Sequence, residues 1–221
     1  MDDILAQEWL KSMGYNISEI EFVEAVKVKG SFKADIQVKI NITIKLKNLL
    51  DVQNIQVKLV SNPQGFNQID KRRVVKYQEL WNIPEKVMSI LKLYCGETKP
   101  NKPNTRDSRR MFMDEFEINE QELVLSFLNE NKTLIVSDIL KGRGQFAAEW
   151  MLVILKIENE NLRWVLKPIN FVLNYFGNGQ ICITKQGNFK IGRIGLQRKG
   201  GDGGRPSANM LQFKINPCEL F

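Results

Sequence analysis

Asp35-Ile36-Gln37-Val38-Lys39-Ile40-Asn41-Ile42-Thr43-Ile44-Lys45-Leu46 and, a little further on, Asn54-Ile55-Gln56-Val57-Lys58-Leu59-Val60 decide how the chain is read. In the first run the apolar residues take every even position from Ile36 to Leu46. That is the period of a half-buried strand, and it leaves Asp35 on the polar side at the start. The second run alternates too: Ile55, Val57 and Leu59 share one face, so Gln56 and Lys58 project together from the other. If the two strands pair as neighbours, a carboxylate, an amide oxygen and an ammonium converge at one edge. Such a set suits Mg2+ held against a phosphodiester. The plainer alternative is that Gln56 and Lys58 decorate the exposed face of a strand, because Asp followed at a distance by Gln-X-Lys is a common accident.

Working outward, Ile4 to Met13 reads as a short helix capped by Asp2 or Asp3 and ended by Gly14, and Ser18 to Ala25 as a further helical turn or two. Gly30-Ser31 turns the chain into the alternating strand. Asn62-Pro63-Gln64-Gly65 breaks it again, and Asn67 to Trp81 follows with a helical pattern. Pro84 sits at the first turn of a helix running to about Tyr94. Lys99 to Ser108 is a Pro/Asn/Lys loop. Helices are expected at about Arg109 to Phe116 and at Glu120 to Asn129. Ala147 to Ile157 is an apolar run typical of a central strand buried on both faces. Arg163 to Leu166 reads as a strand, Ile169 to Phe176 as a helix, Gln180 to Thr184 as a strand, and the remainder as short strands around Gly200-Gly201-Asp202-Gly203-Gly204. Strands and helices are mixed, so the class is α/β or α+β with a mixed sheet.

The 221 residues suit one domain with a sizeable core. No apolar run is long enough to span a membrane, and the acidic Met1-Asp2-Asp3 is unlike a secretory leader, which places the protein in the cytoplasm. The three cysteines, Cys95, Cys182 and Cys218, have no metal-type spacing and read as buried or incidental thiols. The sequence contains no histidine, which removes Ser-His and Cys-His hydrolases and nucleases that use a histidine base. Any general base is then Lys, Asp, Glu or a metal-bound hydroxide.

The net charge of +7 is unevenly distributed. Lys185, Lys190, Arg193, Arg198, Lys199 and Arg205 face a single acid, Asp202, within one stretch. A field of that sign suits a polyphosphate partner; a solvated basic loop is the bland alternative.

The residues also carry a resemblance. Asp35…Gln56-Val57-Lys58 is a variant of the PD-(D/E)XK nuclease motif. The text around it, Asn54 to Asn62 followed by Gly65-Phe66-Asn67-Gln68-Ile69-Asp70-Lys71, resembles HinP-type Type II restriction endonucleases, which cut GCGC and share their architecture with MspI. So do Arg109-Arg110-Met111-Phe112-Met113, Gly142-Arg143-Gly144 with Phe146-Ala147-Ala148-Glu149-Trp150, and Gln197-Arg198-Lys199-Gly200-Gly201-Asp202 with Ala208-Asn209-Met210-Leu211-Gln212-Phe213-Lys214. These matches run in order from about residue 6 to the C-terminus. In the family a further helical segment precedes the part corresponding to Ala6-Gln7-Glu8-Trp9, so a shortened and weakened form is one expectation.

What the resemblance implies is a restriction-endonuclease-like PD-(D/E)XK core, a central mixed sheet flanked by helices. It also implies a single domain over residues 1–221, with a catalytic half at about 1–98, a DNA-recognition half at about 109–221 and a linking loop at 99–108. Asp35, Gln56 and the Val57 carbonyl would ligate Mg2+, and Lys58 would orient the attacking water. Acting as a base would require Lys58 to have a lowered pKa.

Sequence choice would rest on Gln197, Arg198, Lys199 and Asp202, with Arg205 and Asn209 as secondary contacts, because Arg and Lys suit guanine and Asp suits cytosine N4. The alternative for that loop is phosphate binding without sequence preference. Phe66, with Asn67, Gln68 and Lys71, would wedge into the duplex near the cut; Phe66 as a core residue is the competing reading. Arg143 and Gln145 are further DNA candidates, though a glycine-flanked Arg can equally cap carbonyls. The expected partners are double-stranded DNA and a functional companion, a cytosine methyltransferase acting on the same site, with the enzyme itself a monomer or a homodimer. A DNA-binding protein that no longer cuts and a repair or junction nuclease remain the alternatives.

Overall fold

The computed structural model describes residues 4–30, 33–44, 47–102, 104–201, 203 and 205–221. In chain order the first elements are α1 (Ile4–Ser12), β1 (Ile20–Lys27), β2 (Ile36–Ile44), β3 (Lys47–Val60), β4 (Asn67–Arg72), α2 (Val74–Trp81), α3 (Glu85–Cys95), α4 (Ile118–Glu130) and α5 (Lys132–Leu140). Then come β5 (Trp150–Leu155), β6 (Arg163–Pro168), α6 (Ile169–Gly177), β7 (Ile181–Ile183), β8 (Phe189–Ile191), β9 (Ile194–Arg198) and β10 (Leu211–Ile215). The expected cap at Asp2 or Asp3, the turn residue Ser31, the strand end at Leu46 and the base-reading candidate Asp202 lie outside the described residues.

The chain forms two units: Met1–Gly65 with Leu140–Val172 and Pro217–Phe221, and Phe66–Ile139 with Leu173–Asn216. The first is built on a mixed five-stranded sheet, order β1-β2-β3-β5-β6. β2 and β3 pair antiparallel from Ile36↔Ile55 onward, so the two runs that opened the sequence reading are neighbours. β3 pairs β5 in parallel, with Gln56↔Met151 and Lys58↔Val153 in register. A parallel pair needs a long crossover, and here it is the whole stretch between β3 and β5. β5, between β3 and β6, is buried, with Met151, Leu152 and Val153 at most 1% exposed, as its unbroken apolar run implies. One face of the sheet carries Val38, Ile55, Leu152 and Leu166, which form a buried cluster with Leu10 of α1, with Trp9 and Trp164 among the side chains packed on it. Those two rings meet edge to face, 6.2 Å apart.

The second unit has an antiparallel five-stranded sheet, order β4-β10-β9-β8-β7. Its core centres on Tyr77 stacked on Trp81 at 4.5 Å, with the Phe213 ring edge-on to both. The polar ends of those aromatics are satisfied: Tyr77 donates to Asp70 at 2.6 Å and Trp81 to Asp138 at 2.8 Å.

Three expected helices are not formed as read. Ser18 to Ala25 is a 3-10 turn, Ile17–Glu19, running into β1, because pairing with β2 outweighs local propensity. Asn67 to Trp81 divides into β4 and α2, since Asn67–Arg72 completes the sheet against β10. Arg109 to Phe116 holds only the 3-10 turn Met113–Glu115. Its charged residues are engaged locally instead, Arg109 with Asp107 and Arg106 with Asp114. Helix α5 is an element the sequence reading did not mark.

All three cysteines are free thiols, and burial pushes Cys95 up to about 12. No helix among the described residues is long and apolar enough to cross a membrane.

Candidate active site

Asp35 is positioned by backbone on both sides. Its N–H donates to the Ile55 carbonyl at 2.9 Å and its carbonyl accepts from Val28 at 3.0 Å, so it is held between β1 and β3 just before β2 begins. Its Oδ2 accepts from the Val57 N–H at 2.7 Å. The residue remains exposed, lining a cleft of about 320 Å3 with Ala25, Lys27, Ile36 and Val57. A carboxylate held at the mouth of a cleft is available to an outside ligand.

Gln56 and Lys58 share a face of β3, as the alternation implies, but that face is not open. Their register partners on β5, Met151 and Val153, are fully buried, and Gln56 is only 2% exposed. The alternative that these residues decorate an exposed surface does not hold for Gln56, while Lys58 is half-buried. The apolar face, conversely, ends early: Leu59 is 66% exposed. Gln56 is flanked within the sheet by the buried Met151, so burial along this strand follows position rather than residue type.

Two consequences follow for the chemistry. The Gln56 Oε1 is buried and has no hydrogen-bond partner. Leaving a buried acceptor unpaired costs about 1–3 kcal/mol, and such an atom calls for a ligand. Lys58 is half-buried, and its pKa is lowered from 10.5: burial disfavours the ammonium, Asp35 opposes the shift and Lys33 adds to it. The shift runs in the direction that base catalysis would require.

As a cation site, the set offers the Asp35 carboxylate, the orphaned Gln56 oxygen and the Val57 carbonyl. These are hard oxygen donors, which fit Mg2+ better than a soft metal. Among the described residues no group of three His, Cys, Asp or Glu side chains gathers, and Asp35 is the carboxylate of this set.

Sequence reading missed Asn54. Its backbone N–H donates to Glu149 Oε2 at 2.9 Å, its Nδ2 to the Gln145 carbonyl at 2.9 Å, and its Oδ1 accepts from Gln37 at 3.2 Å. Asn54 thereby pins the 145–149 segment to the strand that carries Gln56 and Lys58. Only its place just before the alternating run could have drawn attention to it. Arg143 is exposed and precedes the 3-10 turn Gly144–Phe146. Gln145 engages Asn54 through its backbone carbonyl.

The recognition candidates divide differently from their order in sequence. Phe66 is 59% exposed, which excludes the reading of it as a core residue. Gln212 is in register with Lys71 of β4 on one side and Gln197 of β9 on the other, so the three share a face across three strands. Gln68 joins them, accepting from Gln212 Nε2 at 2.7 Å. A register shift next to Phe213 lets Gln68 and Lys71, three residues apart, reach the same face. Gln212 is 6% exposed and its Oε1 is unpartnered. Nothing in the sequence sets Gln212 apart before strand order is known.

Arg198, by contrast, lies on the opposite face from its neighbour Gln197, in line with the buried Leu211. Its guanidinium donates to Asn209 Oδ1 at 2.7 Å and lies 3.7 Å from Asp107, with 9% of the side chain exposed. Asn209 is thereby occupied as well. Lys199 is tied through its backbone to Met210, Asn67 is partly buried with Nδ2 unpartnered, and Arg205 is exposed.

Comparison with known proteins gives two findings. The sequence pattern of the R.HinP1I restriction endonuclease family matches residues 13–221. Among solved structures, the fold is similar to restriction endonuclease MspI in complex with its cognate DNA, with a TM-score of 0.64 and 14% identity over 95% of this chain and 76% of that one. No individually curated protein matches the chain by sequence.

Proposed function

Because the chain belongs to the R.HinP1I restriction endonuclease family, we propose that it hydrolyses double-stranded DNA at GCGC, with Mg2+ as its cofactor and Asp35, Gln56 and Lys58 as its catalytic residues. A member of this family is a type II site-specific deoxyribonuclease; the target sequence, the metal and the residue roles are the proposal. The observation that carries it is the buried, unpaired Gln56 oxygen on the same strand face as a lysine of lowered pKa, beside an exposed carboxylate.

Asp35, Gln56 and the Val57 carbonyl would hold the cation, which when bound neutralises charge on the scissile phosphate. Asp35 is kept in place by Val57 N–H, so its charge is presented without a search over rotamers. Lys58 orients the attacking water and takes its proton. Burial raises the fraction of Lys58 that is neutral at a given pH, which is what a proton acceptor needs.

For recognition we place the reading face on Gln68, Lys71, Gln197 and Gln212. Lysine donates to guanine O6 and N7, and an amide can both donate to guanine and accept from cytosine N4. Strands of a sheet can enter a groove and present such a row. Phe66, exposed just before β4, is the wedge, with Asn67 beside it. Arg143, Lys199 and Arg205 remain backbone contacts. Arg198 and Asn209, bonded to each other, brace the end of β9. The companion methyltransferase and a cytoplasmic setting belong to the same proposal, since an enzyme cutting GCGC endangers its host's own sites.

The test is to incubate unmethylated plasmid, and plasmid methylated at GCGC cytosines, with the protein with and without Mg2+, and to map the ends. Discrete GCGC ends on the unmethylated plasmid alone, only with Mg2+, are expected. Binding without cutting favours a protein that has lost cleavage, and nicks set by DNA structure rather than sequence favour a repair or junction nuclease.

A further inference from the structure

We propose that Asp107 is an internal stand-in for a DNA phosphate: in the free enzyme it holds the guanidinium of Arg109, which transfers to the nucleic-acid backbone when duplex binds. The inference rests on the reading of this chain as a DNA-cutting enzyme, but not on its target sequence. Asp107 Oδ1 accepts from Arg109 Nε at 2.8 Å and from the Arg109 backbone N–H at 3.0 Å, and Oδ2 accepts from Nη2 at 3.0 Å. A guanidinium forks onto phosphate with the same two-pronged geometry it uses for carboxylate.

Two more arginines face the same carboxylate, Arg198 at 3.7 Å and Arg110 at 4.0 Å, so one negative charge is shared among three positive ones. The three differ in freedom. Arg198 is 9% exposed and fastened to Asn209; Arg110 is 13% exposed and lies 3.8 Å over the Phe112 ring. Arg109 is 62% exposed. Two cations are fixed and therefore keep Asp107 in place, whereas the third is bound to it through an exposed pair that water screens and that a phosphate can replace. The remaining positive charge, with Arg110 Nη1 and Arg198 Nε lacking partners, favours an incoming anion over a bare loop.

The experiment measures binding to a duplex that lacks GCGC, without divalent metal, as a function of salt. Arg109→Ala is expected to flatten the slope of log K against log salt by about 0.9, the loss of one phosphate contact. Asp107→Asn, which keeps the shape and removes the competing charge, is expected to tighten binding several-fold. That gain is expected to vanish in the Arg109→Ala background. An unchanged slope for Arg109→Ala overturns the proposal, and so does an Asp107→Asn gain that persists in full without Arg109, since that is a general charge effect. Weaker binding by Asp107→Asn overturns it too, by making Asp107 a purely structural residue. Binding of this duplex together with random cleavage by the wild type would count against GCGC while leaving the Asp107 test intact. A wild type that binds no duplex overturns both.

Discussion

The strand edge that carries Asp35, Gln56 and Lys58 and the three strands that carry Lys71, Gln212 and Gln197 are built by opposite routes. In the first, residues close in sequence do the work: one hairpin-like pairing sets Asp35 beside Val57, and strand period puts Gln56 and Lys58 on one face. In the second, closeness in sequence misleads. Gln197 and Arg198 are adjacent yet face opposite ways, while Lys71, from a distant part of the chain, forms a row with Gln212 and Gln197. The proposed reaction centre follows a local pattern; the proposed recognition surface needs the strand order.

By that contrast, the largest effect comes from disturbing the local centre. Asp35→Asn keeps an acceptor for the Val57 N–H but removes the charge, and cleavage of a GCGC plasmid is expected to fall by on the order of 10²–10³-fold, with thermal melting unchanged. Full activity would show that the centre lies elsewhere.

The long-range row responds differently. Gln212→Ala is expected to leave cutting competent but to relax the choice of site, losing about 1–3 kcal/mol of discrimination between GCGC and single-base variants, read as relative single-turnover rates. Equal discrimination in wild type and variant would remove Gln212 from the reading face.

The sequence carried the mixed sheet, the paired strands β2 and β3, the buried β5 and the helix break at Pro84, because each is a period or a break in one contiguous run. It did not carry β1 or β4. Ser18 to Ala25 and Asn67 to Arg72 become strands only because β2 and β10 lie alongside them. It set Asp35, Gln56 and Lys58 side by side but not the burial of Gln56, whose register partner Met151 lies in Trp150–Leu155, much later in the chain. For Arg198, residue type suggested base reading, and its actual partners, Asp107 and Asn209, were not visible in a linear text.

A smaller effect separates burial from surface in the same centre. With its folded pKa lowered from 10.5, Lys58 destabilises the fold where it must be charged. The unfolded chain binds more protons between the lowered pKa and 10.5, so stability rises with pH across that window and the relief is lost as pH falls through the lowered pKa. Lys58→Met is expected to abolish that rise in a denaturant series run at several pH values; an identical slope in both proteins would argue against the burial of this ammonium.

Smallest is the effect of Phe66→Ala on folding. An exposed aromatic contributes little to the fold, so stability should stay within about 0.5 kcal/mol while the fluorescence of a base analogue placed at the GCGC centre, which reports opening of the step, is lost. A retained signal would discard the wedge.

The most direct test of the centre itself is single-turnover cleavage of unmethylated GCGC plasmid by Lys58→Met with Mg2+ present. Burial by β5 together with a role in moving the water's proton requires that this variant melt no earlier than the wild type and produce no GCGC ends. Cutting at the wild-type rate would contradict it.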